Sequence, residues 1–286
     1  MLNRLRTLGR LLWRTIDACQ TDNTPQLAAG LSFYSLLSLA PTLWVVIAVA
    51  GVWVGRESAR GEVMAWTAKM VGPLAASYIG SVLAQVDAPN YVATIVGVLS
   101  MFFGASLAFG ALYDSLNRIW KVAPPPTRNV IQGYFIKRLL AFLVVLLVGL
   151  LLLSSLLLTA MVATLAHAGE YLYTVPQPLL EAINSLIAMG LVMVLFAAIY
   201  RILHDARIEW HDVWIGAVVT AALFAIGKTL LSLYLSSEGL ISSYGAAGSL
   251  VVLLLWIYYS AQIFLFGAEF TEVYSRDRKE KERVRP

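Results

Sequence analysis

The sequence predicts an all-α integral membrane protein: six transmembrane helices with cytoplasmic N- and C-termini, accompanied by interfacial amphipathic helices. Three observations carry this expectation. Hydrophobic residues make up 59% of the chain and charged residues 13%, against about 25% charged in a typical soluble domain. Six apolar stretches reach the roughly 20 residues needed to cross a hydrocarbon core of about 30 Å: 27–54, 91–112, 139–166, 179–203, 213–235 and 246–271. Finally, 17 of the 21 Lys and Arg residues fall in alternate gaps between these stretches, only three (Arg56, Arg60 and Lys69) fall in the other gaps, and Lys228 lies inside a stretch. Basic residues are retained on the cytoplasmic side, so this partition puts both ends of the chain in the cytoplasm.

Residues 1–24 form a cytoplasmic amphipathic helix in this reading, 25–272 one membrane domain and 273–286 a basic cytoplasmic tail. In the first segment Leu5, Leu8, Leu12, Ile16 and Cys19 recur at helical spacing, with Arg6, Arg10 and Arg14 opposite. That pattern suits either a helix lying on the membrane surface or one packed under the bundle. Four Arg residues and no continuous apolar core argue against a cleavable signal peptide in the first 26 residues. Thr24 and Pro25 read as the N-cap and first position of the first span, and Pro41 should kink that span. The outer loop 55–90 carries two apolar stripes, Val63-Trp66-Met70-Leu74 and Tyr78-Val82-Val86, separated by Gly72-Pro73. They predict two short helices on the outer surface or over an outward cavity. The second span runs on through Tyr113 to Trp120 until Pro124–Pro126 stops it.

A net charge of +4 is spread over short loops and a tail, which favours anionic membrane lipids and not nucleic acid. Cys19, the single cysteine, has no intrachain disulfide partner. Small-residue faces such as Gly104 and Ala108 permit close helix packing and, with it, a homo-oligomer.

Lys228 is the sharpest chemical signal, because a charge near the centre of a transmembrane helix costs roughly 2.5 to 3.5 kcal/mol and normally faces a cavity or a partner. Glu181 and Asn184 on the fourth span lie at a comparable depth and offer such a partner; alternatively Lys228 snorkels to the outer interface. Gln262, near mid-membrane on the sixth span, and Ser32, Ser35 and Ser38, one stripe on the first span, complete a candidate substrate pathway. Serines also hold helices together by hydrogen bonds, which for this stripe alone is the stronger expectation. Asp114, Asn117, Arg118, Trp120 and Glu269 form a candidate cytoplasmic gate or a structural polar group, Glu269 pairing with a cation such as Arg118 or Arg201. No catalytic residue, cofactor or metal is expected. The loop from His204 to Asp212 matches no zinc-ligand spacing, and no Walker loop, nucleophile elbow or dinucleotide fingerprint occurs.

The stretch Ala28-Ala29-Gly30-Leu31-Ser32-Phe33-Tyr34-Ser35-Leu36-Leu37-Ser38-Leu39-Ala40-Pro41 resembles the opening span of the YihY/BrkB family of bacterial inner-membrane proteins. Leu116-Asn117-Arg118-Ile119-Trp120, Trp210-His211-Asp212 with Gly216-Ala217, Ser243 to Ser249 and Phe266-Gly267-Ala268-Glu269 extend the resemblance over nearly the whole chain. It implies six membrane helices with cytoplasmic termini and a connection with envelope integrity and lipid-like transport. It also carries an old ribonuclease label, which the chain's lack of clustered His and Asp ligands rejects. The expected function is transport of a lipid or anionic amphiphile without an ATPase of its own. The alternative is a non-transporting scaffold for an envelope complex, with a protein partner on its loops and tail.

Overall fold

The computed structural model describes residues 2–71, 76–77, 79–81, 91–122, 177–203, 206, 208–235 and 248–284. Among these residues there are seven helices and no strand: α1 (Leu2–Thr21), α2 (Thr24–Val54), α3 (Arg56–Val71), α4 (Tyr91–Ile119), α5 (Gln177–Ile202), α6 (Trp210–Leu235) and α7 (Gly248–Val284). The expected third span, 139–166, lies outside the described residues, as do Pro124–Pro126, His204 and the segment 82–90.

Helix ends are set by local backbone chemistry. The Asn23 carbonyl, not that of Thr24, accepts the first bonds of α2, from Gln26 N at 2.9 Å and Leu27 N at 3.2 Å. The cap therefore sits one residue earlier than the Thr-Pro signal suggests, because Asn23 turns the chain at φ 55°, a conformation that Asn tolerates. From there α2 runs unbroken through Pro41. Gly55, at φ 85°, turns the chain into α3. At the end of α4, Val122 N bonds Asn117 O at 2.9 Å and Lys121 N bonds Arg118 O at 3.1 Å, with Lys121 at φ 52°. This is a Schellman closure, and it stops the helix before the prolines are reached.

Two helices extend beyond their expected bounds. Asp212 N and Val213 N both bond the Glu209 carbonyl, so α6 starts at Trp210 and places the Asp212 carboxylate in a first turn whose dipole favours negative charge. At the other end of the chain the basic tail is helical as far as Val284. Pairs four residues apart, Glu272–Arg276, Asp277–Lys281 and Arg278–Glu282, line this extension and support it as a helix.

The chain divides into two compact units. Residues 1–18, 116–225 and 266–286 form the first. In it Leu11 of α1 packs with Phe270 and Val273 of α7, joined by Ala18, Ile215, Val219 and Tyr274. Thr15 is fully buried, whereas Leu12, Trp13 and Ile16 are exposed, Trp13 at 71%. One face of α1 is thus packed against α7, while Leu12 and Ile16 of its apolar stripe point outward.

Residues 19–115 and 226–265 form the second unit. Ile79 and Leu253 are its buried centre, covered by Leu36, Leu39, Leu43 and Ile47 of α2, Met64 of α3 and Ile257 of α7. The segment around Gly80 folds against α3, with Arg60 donating to the Gly80 carbonyl at 3.4 Å. Large apolar side chains point outward from every long apolar helix: Phe33 and Leu37 on α2, Leu99 and Phe103 on α4, Leu186 on α5, Ile226 and Leu230 on α6, Leu254 on α7. Such surface needs an apolar surrounding, and α6 and α7 each contain an apolar run long enough to cross a membrane.

Candidate functional site

The charged centre of the first unit is built on Arg278. Asp212 is completely buried in the first turn of α6, and Arg278 holds it with two contacts, Nε to Oδ1 at 3.2 Å and Nη2 to Oδ2 at 3.3 Å. The same guanidinium reaches Glu209 at 2.5 Å and Glu282 at 3.8 Å. A buried carboxylate without a cation would be strongly penalised, so Arg278 is what permits Asp212 to stay inside. Its hydrogen bond also holds the Glu209 carboxyl below the ordinary carboxylate value, and Glu209 in turn raises the Arg278 guanidinium above its own. Around this centre Arg14 of α1 reaches Asp277 at 3.3 Å, Lys281 binds the same carboxylate, and the His211 ring tilts over Tyr274. Arg201 donates to the Ile208 carbonyl and lies 5.4 Å from the Trp210 ring.

Next to this network, α6 and α7 interlock. A β-carbon on Gly216 would overlap Thr271 Oγ1, and one on Gly267 would overlap Thr220 Oγ1 and approach the Tyr200 hydroxyl within 2.6 Å. Each helix thus offers a glycine followed four residues later by a threonine, and each glycine receives the other helix's threonine. Both hydroxyls also bond backwards along their own helix, Thr220 to Gly216 O at 2.7 Å and Thr271 to Gly267 O at 2.6 Å. Tyr200 of α5 joins at 3.0 Å from Thr220. Every hydroxyl here is satisfied without water, as membrane helix packing requires. Glu269 is buried beside this lock.

In the second unit the expected pathway residues occupy defined positions. Ser32 is buried and donates to Ala28 O at 2.6 Å, and Ser38 donates to Ser35 O at 3.0 Å. A β-carbon on Gly104 would lie 3.0 Å from the Ser38 backbone, which marks a close crossing of α2 and α4. Gln262 donates to the Tyr258 hydroxyl at 2.8 Å. Gly227, next to Lys228, meets the Tyr259 hydroxyl and Ile263 at 2.6 and 2.7 Å from where its β-carbon would be. That contact brings the backbone of Lys228 to the turn of α7 that carries Gln262. The side chains of Lys228, Glu181 and Asn184 lie outside the described part of the structure, although their helices do not.

The candidate gate residues differ in exposure. Asp114 and Arg118 are exposed, Asn117 and Trp120 half-buried, and Glu269 buried. Sequence reasoning passed over Arg278, Glu209 and Asp212 as a unit, since the partners on α7 are 66 residues or more from those at the start of α6. It also missed the interlock, whose signal was the Gly-x-x-x-Thr pattern present on both helices.

The family model for virulence factor BrkB matches residues 15–286. The chain is 28% identical over 259 residues to a UPF0761 membrane protein of Alteromonas mediterranea, covering 90% of this chain and 84% of that one. It is 29% identical over 276 residues to a UPF0761 membrane protein of Tolumonas auensis (94% and 85% covered) and 26% identical over 279 residues to one of Cronobacter sakazakii (96% and 91%). No solved structure matches. With a family model spanning nearly its whole length and relatives named as membrane proteins, this chain is a membrane protein of the virulence factor BrkB (YihY/BrkB) family.

Proposed function

We propose that this protein crosses the bacterial inner membrane six times, keeps both termini in the cytoplasm, and moves a lipid or another anionic amphiphile without an ATPase of its own. The partition of basic residues supports the topology. Lys228 carries the transport function. In 213–235 it is the only Lys, Arg, Asp or Glu, and it lies 18 residues along α6 from Trp210, a rise of about 27 Å. A cation at that depth is costly unless it meets a cavity, a partner or a ligand. Polar side chains at the same level of the bundle, Tyr258 and Gln262, support a wettable path there. Glu181 and Asn184 on α5 and the serines of α2 are the other positions assigned to that path, and anionic membrane lipids are the natural substrates of its cation.

The direct test is complementation by Lys228→Ala and Lys228→Glu in a strain lacking the protein, with membrane abundance measured in parallel. Loss of function at normal abundance supports the pathway; full complementation by both variants removes Lys228 from it. The helical extension of α7 beyond the apolar run favours one competing function, a scaffold that holds an envelope partner. Deleting residues 276–286 would then abolish function while the Lys228 variants behaved as the parent.

A further inference from the structure

A cavity of about 360 Å³ opens in the first unit beside the C-terminal extension of α7, and its lining includes Trp120, Glu272, Arg276, Lys279, Glu280 and Arg283. Arg276, Lys279 and Arg283 follow one another at spacings of three and four residues, so they form one stripe on that helix. This stripe differs from the Arg278 face. Arg278 is engaged by Glu209, Asp212 and Glu282, whereas Arg276 has a loose contact to Glu272 at 3.6 Å and neither Lys279 nor Arg283 makes an ion pair among the described residues. Three cations and two carboxylates therefore line the cavity, and one of the carboxylates is already approached by Arg276.

We propose that this cavity binds a phosphate-bearing anion, with Lys279 and Arg283 as its principal ligands. Guanidinium and ammonium groups arranged along about 10 Å of helix suit the several acceptor oxygens of a phosphate, which take charge-assisted and bidentate bonds. The volume lies within the range of small-ligand pockets, about 300 to 1,000 Å³, and leaves room for what the phosphate is attached to. Trp120 supplies an amphipathic wall of the kind found at the headgroup level. An inner-leaflet phospholipid headgroup and a soluble phosphate compound share this chemistry. Binding here depends on neither Lys228 nor transport.

Calorimetric titration of the purified full-length protein in zwitterionic detergent tests the site with three probes: pyrophosphate, short-chain phosphatidylglycerol and short-chain phosphatidylcholine. Saturable binding of pyrophosphate or phosphatidylglycerol is expected, with phosphatidylcholine weaker by about tenfold or more because its headgroup has no net charge. Lys279→Gln and Arg283→Gln should each weaken the binding by about tenfold, while Arg10→Gln, an exposed cation on α1, leaves it unchanged. Binding of phosphatidylglycerol alone identifies a lipid ligand, and of pyrophosphate alone a soluble one. Absence of saturable binding by both, wild-type affinity in the Lys279 and Arg283 variants, or an equal loss in Arg10→Gln overturns the proposal. Thermal midpoints of the variants, unchanged from the parent, separate lost binding from lost folding.

Discussion

Gly216 and Gly267 have no room for a methyl group, because each faces a threonine of the neighbouring helix where a β-carbon would go. Gly216→Ala and Gly267→Ala should each lower stability by about 1 to 3 kcal/mol, the usual cost of overpacking. This would be measured as a fall in thermal midpoint in detergent. Combining Gly216→Ala with Thr271→Ala should recover part of the loss, since the second substitution removes two of the three atoms in the way, Oγ1 among them, and additive losses would mean that the two residues do not meet. At Asp212 the prediction has the same form with a different cause. Arg278→Gln strands a fully buried carboxylate and should cost about 3 kcal/mol, whereas Lys281→Gln, on an exposed pair, should cost less than about 1 kcal/mol. Equal effects from the two would contradict a special role for Arg278. The glycine and threonine pattern was visible on both helices, yet nothing in one sequence says which helix faces which. The Asp212–Arg278 pair was hidden for the same reason. Lys228, in contrast, stood out at once, because a lone cation in an apolar run contradicts its surroundings whatever its partner is.

Helices were legible where the apolar runs were long, and their ends were less so. The prolines after α4 suggested a stop at residue 124, but hydrogen bonding closes the helix at Lys121, which adopts a left-handed conformation without being glycine. Lys121→Gly should therefore be neutral or stabilise the protein by up to about 1 kcal/mol, and a clear loss of stability would show that the Lys side chain matters more than its backbone. The tail was read as a topological charge signal, although its carboxylate–cation pairs at spacing four were equally readable as a helix. Docking of this extension on the start of α6 should depend on pH with a definite sign. The Glu209 pKa is depressed by the Arg278 hydrogen bond, so its contribution is present above the ordinary carboxylate value and fades as pH falls through the lower folded value. Arg278 is raised, so its charge is kept throughout the usable alkaline range. Thermal midpoints measured between neutral and acidic pH should fall more steeply in the parent than in Glu209→Gln, and parallel curves would contradict the pair.

On the scale of the molecule, family membership and outward apolar side chains agree on a membrane protein, and the serine stripe illustrates how far a sequence motif reaches toward function. Ser32 and Ser38 both lie on α2, where their hydroxyls bond the helix's own backbone and the Ser38 backbone makes the close approach to Gly104. Six spans with cytoplasmic ends predict that single cysteines at Arg10 and Lys279, introduced after Cys19→Ser, are labelled by an impermeant thiol reagent only when the inner membrane is opened, and that one at Arg60 is labelled in intact spheroplasts. The most direct test of transport is lipid movement in vesicles reconstituted with the full-length protein. Headgroup-labelled phosphatidylglycerol should cross several-fold faster than in protein-free vesicles, Lys228→Glu should abolish the gain, and Lys228→Arg should retain much of it. Equal rates for the parent and Lys228→Glu would contradict a pathway through Lys228.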